Sequence, residues 1–116
     1  MTVLRRAVGL TFMGLGTLHF THTRVYEGIM PSYLPAHREL VLVSGAAEIA
    51  GGAGVLVPAA RPYARWWLIV LLAAVFPANV NMALYPDRYG IPPWALWARL
   101  PFQLVFGALV WRATEE

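Results

Sequence analysis

Seven polar side chains sit inside stretches that are otherwise apolar: His19, Ser44, Glu48, Asn79, Asn81, Arg99 and Gln103. A charged group in the middle of a membrane helix costs about 3 kcal/mol on insertion scales. Glu48 must therefore be protonated, paired or hydrated, and a carboxylate at such depth is a functional candidate by default. Ser44 and Glu48 are four apart, as are Arg99 and Gln103, so each pair shares one face of a helix. The expected arrangement is a Glu48–Arg99 contact with His19, Asn79 and Gln103 around it. These five would hold the polar head of a lipophilic molecule, and a carboxylate beside an imidazole can carry protons. The bland alternative is that the polar groups glue helices together, with a Glu–Arg pair fixing register, or that Arg99 snorkels outward and touches nothing. His19 and His22, with Glu27 or His37, give a weaker pattern for a metal ion. No third ligand stands at a fixed spacing, and no metal site is assigned.

Composition narrows the chemistry further. The chain of 116 residues has no cysteine, which excludes disulfides, thiolate metal sites and a dithiol relay of its own. A redox role would need a bound cofactor or a partner protein. The net charge of +3 comes with nine basic residues, all arginine, scattered at segment ends rather than set in a stripe. That distribution argues against nucleic acid and for membrane flanks. The glycines of 44–54 are not a phosphate loop, since no Gly-Lys-Ser/Thr sequence accompanies them. Hydrophobic residues make up 59% and charged residues 13%, about half the charge of an ordinary soluble domain. So small a chain could not cover a water-facing surface with so few polar groups, and lipid is expected around much of it.

Four segments must position the polar residues. Apolar stretches run over about 3–20, 40–57, 66–84 and 94–111, each near the roughly 20 residues that cross a bilayer core. Prolines 31 and 35, 58 and 62, and 86, 92 and 93 mark the three connections. The expected fold is an all-α integral membrane bundle of four antiparallel, up-and-down helices in a single domain, 1–116. All five tryptophans fall near segment ends, as an interfacial belt requires. A soluble bundle with a Trp-rich core would need polar stripes that these helices lack. Arg5 and Arg6 before an apolar run loosely resemble a signal peptide, yet no small-residue cleavage site follows, so 3–20 reads as a retained span. Gly45, Gly51, Gly52 and Gly54, with neighbouring alanines, let the second helix approach its neighbours closely, and Gly9 and Gly16 could face it. Pro77 and Pro101 fall inside spans and should kink them.

In such a bundle the end of the first span, the start of the second, the end of the third and the start of the fourth share one membrane face. His19 lies within roughly 5 Å of that face, Asn79 and Arg99 about 8 Å from it, and Glu48 and Gln103 roughly 12–14 Å. The polar set thus converges in the half of the bilayer away from the termini. The long first connection carries Ile29, Met30, Tyr33 and Leu34, too apolar for a free loop, and is expected either to fold back as a cap over that half or to lie as a plain interfacial segment. Arg5, Arg6, Arg61, Arg65 and Arg112 bias the termini towards the cytoplasm, in a bacterial inner membrane.

Five short motifs occur in order along the chain: Gly16-x-x-His19-Phe20; Pro31-x-x-Leu34-Pro35; Ser44-Gly45-x-x-Glu48-x-x-Gly51-Gly52; Phe76-Pro77-Ala78-Asn79 with Met82-Ala83; and Arg99-Leu100-Pro101-x-Gln103. Together they resemble the DoxX-like membrane proteins across nearly the whole chain. The resemblance implies a four-helix membrane fold. That family takes its name from a subunit associated with thiosulfate:quinone oxidoreduction, other members are linked to membrane redox complexes, and animal relatives look like assembly factors. Three functions stay open. One is a redox-associated subunit binding a quinone or similar lipophile, with a membrane oxidoreductase or a second copy of the chain as candidate partner. The second is an assembly factor with a structural polar cluster. The third is an enzyme on a small lipophilic substrate, such as an isomerase with Glu48 and His19 as acid and base.

Overall fold

Thr2 opens the first helix, its hydroxyl oxygen accepting from the Arg5 amide at 3.2 Å, an N-cap contact that satisfies one of the orphan donors of the first turn. The computed structural model describes residues 2–115. Helix α1 then spans Val3–Thr21, and a short α2 spans Thr23–Gly28. Three long helices follow: α3 over His37–Leu56, α4 over Arg61–Leu84 and α5 over Pro93–Ala113. A 3-10 turn at Pro86–Arg88 lies between the last two. The chain is all-α. Helix α3 begins three residues before the expected boundary and α4 five before, because their first turns are polar and apolar patterning passes over them. His37-Arg38-Glu39 opens α3, and Arg61-Pro62 opens α4 with proline where its missing N–H costs nothing.

The long helices pack in a ring, α1 on α3, α3 on α4, α4 on α5, and α5 more sparsely back on α1. Glycine sets the tightest seam. A Cβ built on Gly52 would stand 2.5 Å from the Gly9 carbonyl oxygen, and one on Gly16 would stand 2.5 Å from that of Gly45. Those pairings run in opposite directions along the two helices, so α1 and α3 are antiparallel and nearly in backbone contact. With no hydrophobic drive between helices in lipid, such contact is what packing must supply.

Two apolar clusters close the ends. At the end nearer the termini, Val8, Phe12, Val55, Leu68 and Val110 join all four long helices. At the other end Met82, Ala83 and Leu96 pack with Ile29, Tyr89 and Ile91. The terminal face is also tied by arginines, which donate to carbonyls at helix C-termini that have no backbone donor within their own helix. Arg61 Nε reaches Val55 O at 2.9 Å, Arg5 Nε reaches Ala113 O at 2.9 Å, and Arg65 reaches Trp111 O at 3.2 Å while lying over the Trp111 ring. Cations at these negative ends of the helix dipoles are favourable as well.

Helices α3, α4 and α5 are long and apolar enough to cross a membrane, which marks a membrane protein. Helix α1 has 19 residues but begins with Arg5 and Arg6 and ends near His19. All five tryptophans are at least 40% exposed, so they build a rim and not a core. Helical structure continues through Pro77 and Pro101, which leave the carbonyls of Ala73 and Trp97 without their usual donors four residues on.

The absence of native cysteine makes topology directly measurable. Single cysteines at Ala59, in the α3–α4 turn, and at Ser32, in the first connection, are expected to react with a membrane-impermeant maleimide from opposite sides. Both positions are exposed. Labelling from the same side would remove α3 as a span.

Candidate functional site

The five polar residues singled out by the sequence line one cavity of about 380 Å³ between the two apolar clusters. His19 comes from α1, Glu48 from α3, Asn79 from α4, and Arg99 and Gln103 from α5. Each is carried by a regular helix, so its depth is fixed by backbone hydrogen bonding and not by loop conformation. Around them stand Phe12, Leu72, Met82 and Phe106, an apolar wall with a few convergent polar groups, as small-molecule sites have.

Glu48 pairs with His19 and not with Arg99. His19 Nδ1 lies 3.2 Å from Glu48 Oε2, both side chains being less than a fifth exposed. Among the described residues this is the one approach of a basic side chain to a carboxylate within 4.0 Å, and it is an ion pair only when the imidazole carries a second proton. The cause is the α1–α3 seam. Glu48 Cβ abuts Gly16, and His19 Cβ abuts Gly45. Side chains lean towards the N-terminus of their helix, which carries Glu48 along α3 in the direction of His19. Helices α3 and α5 instead face each other across the ring, with the cavity between Glu48 and Arg99.

The same nitrogen of His19 is 2.8 Å from the Leu15 carbonyl oxygen. A carbonyl only accepts, so the proton sits on Nδ1, and Nε2 is the nitrogen free to take or give one. With that N–H aimed at Leu15, Glu48 Oε2 is buried without a hydrogen bond of good geometry. Gln103 Oε1 is buried without a partner as well. Asn79 is itself 7% exposed. Unsatisfied buried oxygens of this kind each cost about 1–3 kcal/mol, and two of them on one cavity leave acceptors that a donor on a bound molecule would satisfy.

Tyr26 was not foreseen. It lies on α2 and stacks on the His19 ring at 3.9 Å with a 19° interplanar angle. Burial above all, and then the Glu48 carboxylate, push its phenol above the ordinary value, while the Arg99 guanidinium pulls the other way. The hydroxyl therefore keeps its proton. Helix α2 with Ile29 and Met30 closes the outer side of the cavity, the capping role expected of the first connection. The chain breaks helix at His22, so no helical period relates Tyr26 to His19, and sequence spacing carried no signal of the stack.

Leu15, Arg99 and Phe102 line the cavity yet are exposed, so it opens laterally between α1 and α5. Asn81 is elsewhere, accepting from the Tyr89 hydroxyl at 2.8 Å and tying down the third connection. Ser44 donates to Val41 O within its own helix. The three histidines have separate partners: His22 bonds Thr21, and His37 Nε2 donates to Pro31 O. Among the described residues no three His, Asp or Glu side chains gather as metal ligands.

The model of one family, described as a domain of unknown function (DUF8561), matches residues 8–114. No curated protein and no solved structure matches the chain.

Proposed function

We propose that this chain, which belongs to the family described as a domain of unknown function (DUF8561), is a four-span membrane subunit that binds a quinone in its reduced, hydroxyl-bearing quinol form, or a similar lipophile, in its intramembrane polar cavity. The observation that carries this reading is the pair of buried oxygens without a hydrogen bond, Glu48 Oε2 and Gln103 Oε1, on residues lining one cavity. A buried acceptor without a donor is rare in a finished core, and a ligand hydroxyl such as that of a quinol removes the cost by donating to it. The cavity's volume falls in the range of small-molecule sites. Phe12, Phe106 and Tyr26 offer ring faces to a flat head group. A bound quinone would supply two-electron chemistry. The residues of this chain would hold and orient its head, and His19 Nε2 would be the site of proton exchange.

The ordered motifs that resemble DoxX-like proteins support a redox-associated role beside a membrane oxidoreductase, although the matching family carries no DoxX assignment. The fourth span of this reading is α1, whose arginines flank its apolar run. With Arg61, Arg65 and Arg112 they favour cytoplasmic termini in a bacterial inner membrane.

A second reading, a non-catalytic assembly factor, draws on the same contacts. The His19–Glu48 pair and the Tyr26 stack together fasten α1 to α3 and α2, a task that needs no ligand. Organic extraction and mass spectrometry of protein purified in mild detergent separates the two. A quinone or other lipophile at about one per chain is expected. Bulk lipid alone would reject the first reading and leave the second.

A further inference from the structure

We infer that the groove between α4 and α5 is the tail channel of this same cavity, so that the ligand is a long-chain amphiphile and not a compact head alone. The inference rests on the reading of the cavity given above. The groove has a volume of about 350 Å³ and is walled by Ile69, Ala73, Phe76, Leu104 and Gly107. Leu72 and Gln103 line both it and the cavity. The two spaces therefore adjoin at Gln103, the residue whose buried oxygen has no partner. From that junction the groove runs towards the terminal face for about 10 Å, the rise from Phe76 back to Ile69 along α4.

Gly107 gives the independent reason. Glycine inside a helix costs about 1 kcal/mol against alanine. Along the α1–α3–α4 contacts a close approach accounts for it: Cβ atoms built on Gly9, Gly16, Gly45, Gly51 and Gly52 would all collide with a neighbouring helix, whereas Gly14 stands on the exposed side of α1. A Cβ on Gly107 meets nothing within 4 Å. No packing of this chain requires that glycine. What its missing side chain does is keep the groove open, opposite Ala73, the small residue on the facing wall. An apolar chain fits there by van der Waals contact, which is the packing term that remains when lipid is the solvent.

The test compares duroquinol, which has no tail, with a trimethyl-hydroquinone carrying a decyl chain, both kept reduced under argon. Both are titrated against the full chain in lipid nanodiscs and scored by mole fraction in the membrane. The decyl compound is expected to bind about tenfold more tightly, a difference of about 1.4 kcal/mol. Gly107→Leu should erase that preference without changing duroquinol affinity, and Ala73→Leu should do so from the opposite wall. Equal binding of the two compounds by the parent protein overturns the groove and leaves the cavity standing. A preference that survives both substitutions places the tail at the α1–α5 opening, or in bulk lipid, and also overturns it. Loss of both compounds in both variants, with intact melting, makes the substitutions unspecific and rejects the groove as well. Binding of neither compound by the parent rejects the cavity reading, and the groove falls with it.

Discussion

Glu48→Gln is expected to weaken binding of a quinol, whose hydroxyls donate to the carboxylate, by about ten- to a hundredfold, while the melting temperature stays within a few degrees of the parent. Hydrogen bonds to charged groups are worth about 1.5–3 kcal/mol, and each 1.4 kcal/mol is tenfold in affinity. Glutamine keeps the length and shape of the side chain, so the α1–α3 seam is undisturbed. What changes is the loss of a carboxylate beside the His19 imidazole, 3.2 Å away. Folding should tolerate the exchange, because an ionisable group at this depth is itself expensive and a neutral isostere relieves that cost. Titration of the variant in nanodiscs beside a thermal melt reads both quantities. Unchanged affinity would remove Glu48 from the site. A large loss of stability with affinity falling in step would favour the assembly-factor reading, in which the pair serves only to fasten helices.

Gly45→Val should have the largest effect on stability of any single change at the seam. A Cβ there would stand 2.5 Å from His19 Cβ and 2.8 Å from the Gly16 carbonyl oxygen. Neither neighbour can yield easily, since one is the root of a side chain and the other is backbone inside a helix. The helices must separate, and overpacking of this kind costs about 1–3 kcal/mol or more. His19 would move off Glu48 in the same displacement, so ligand affinity should fall with stability. Gly14→Ala is the matched control. It also replaces a glycine within a long helix of the same pair, but its Cβ meets nothing within 4 Å. Better helix propensity should leave that variant as stable as the parent, or more so by about 1 kcal/mol. If the two variants melt together, the close approach of α1 and α3 is wrong.

The sequence carried the elements and their polar contents further than it carried the contacts. Long apolar runs broken by proline gave the four long helices to within a few residues, and His19, Glu48, Asn79, Arg99 and Gln103 do line one cavity. Depth along each helix was readable because rise per residue is constant. Which neighbours touch was not, because that depends on the order of helices around the ring. Pairing Glu48 with Arg99 treated those two groups as neighbours, whereas α3 and α5 lie diagonally and α1 is drawn against α3 by glycines on both sides. Gly16 and Gly45 were visible as packing residues. Their mutual register was not, and it is this register that delivers His19 to Glu48. The arginines of the terminal face were read as membrane flanks. Their bonds to Val55, Trp111 and Ala113 depend on where helices end in space.

One of those bonds bears on how the molecule is made. Arg5 donates to Ala113, 108 positions later in the chain. During synthesis α1 and α3 emerge early and can join along their glycines while α5 is still unmade. The seat of Arg5 does not exist until α5 has been threaded into the membrane, and neither does the wall that Arg99 and Gln103 give the cavity. Insertion of α5 is thus the step that both locks the first helix and creates the compartment. A ribosome-bound chain halted before it would hold the Glu48–His19 pair facing open lipid.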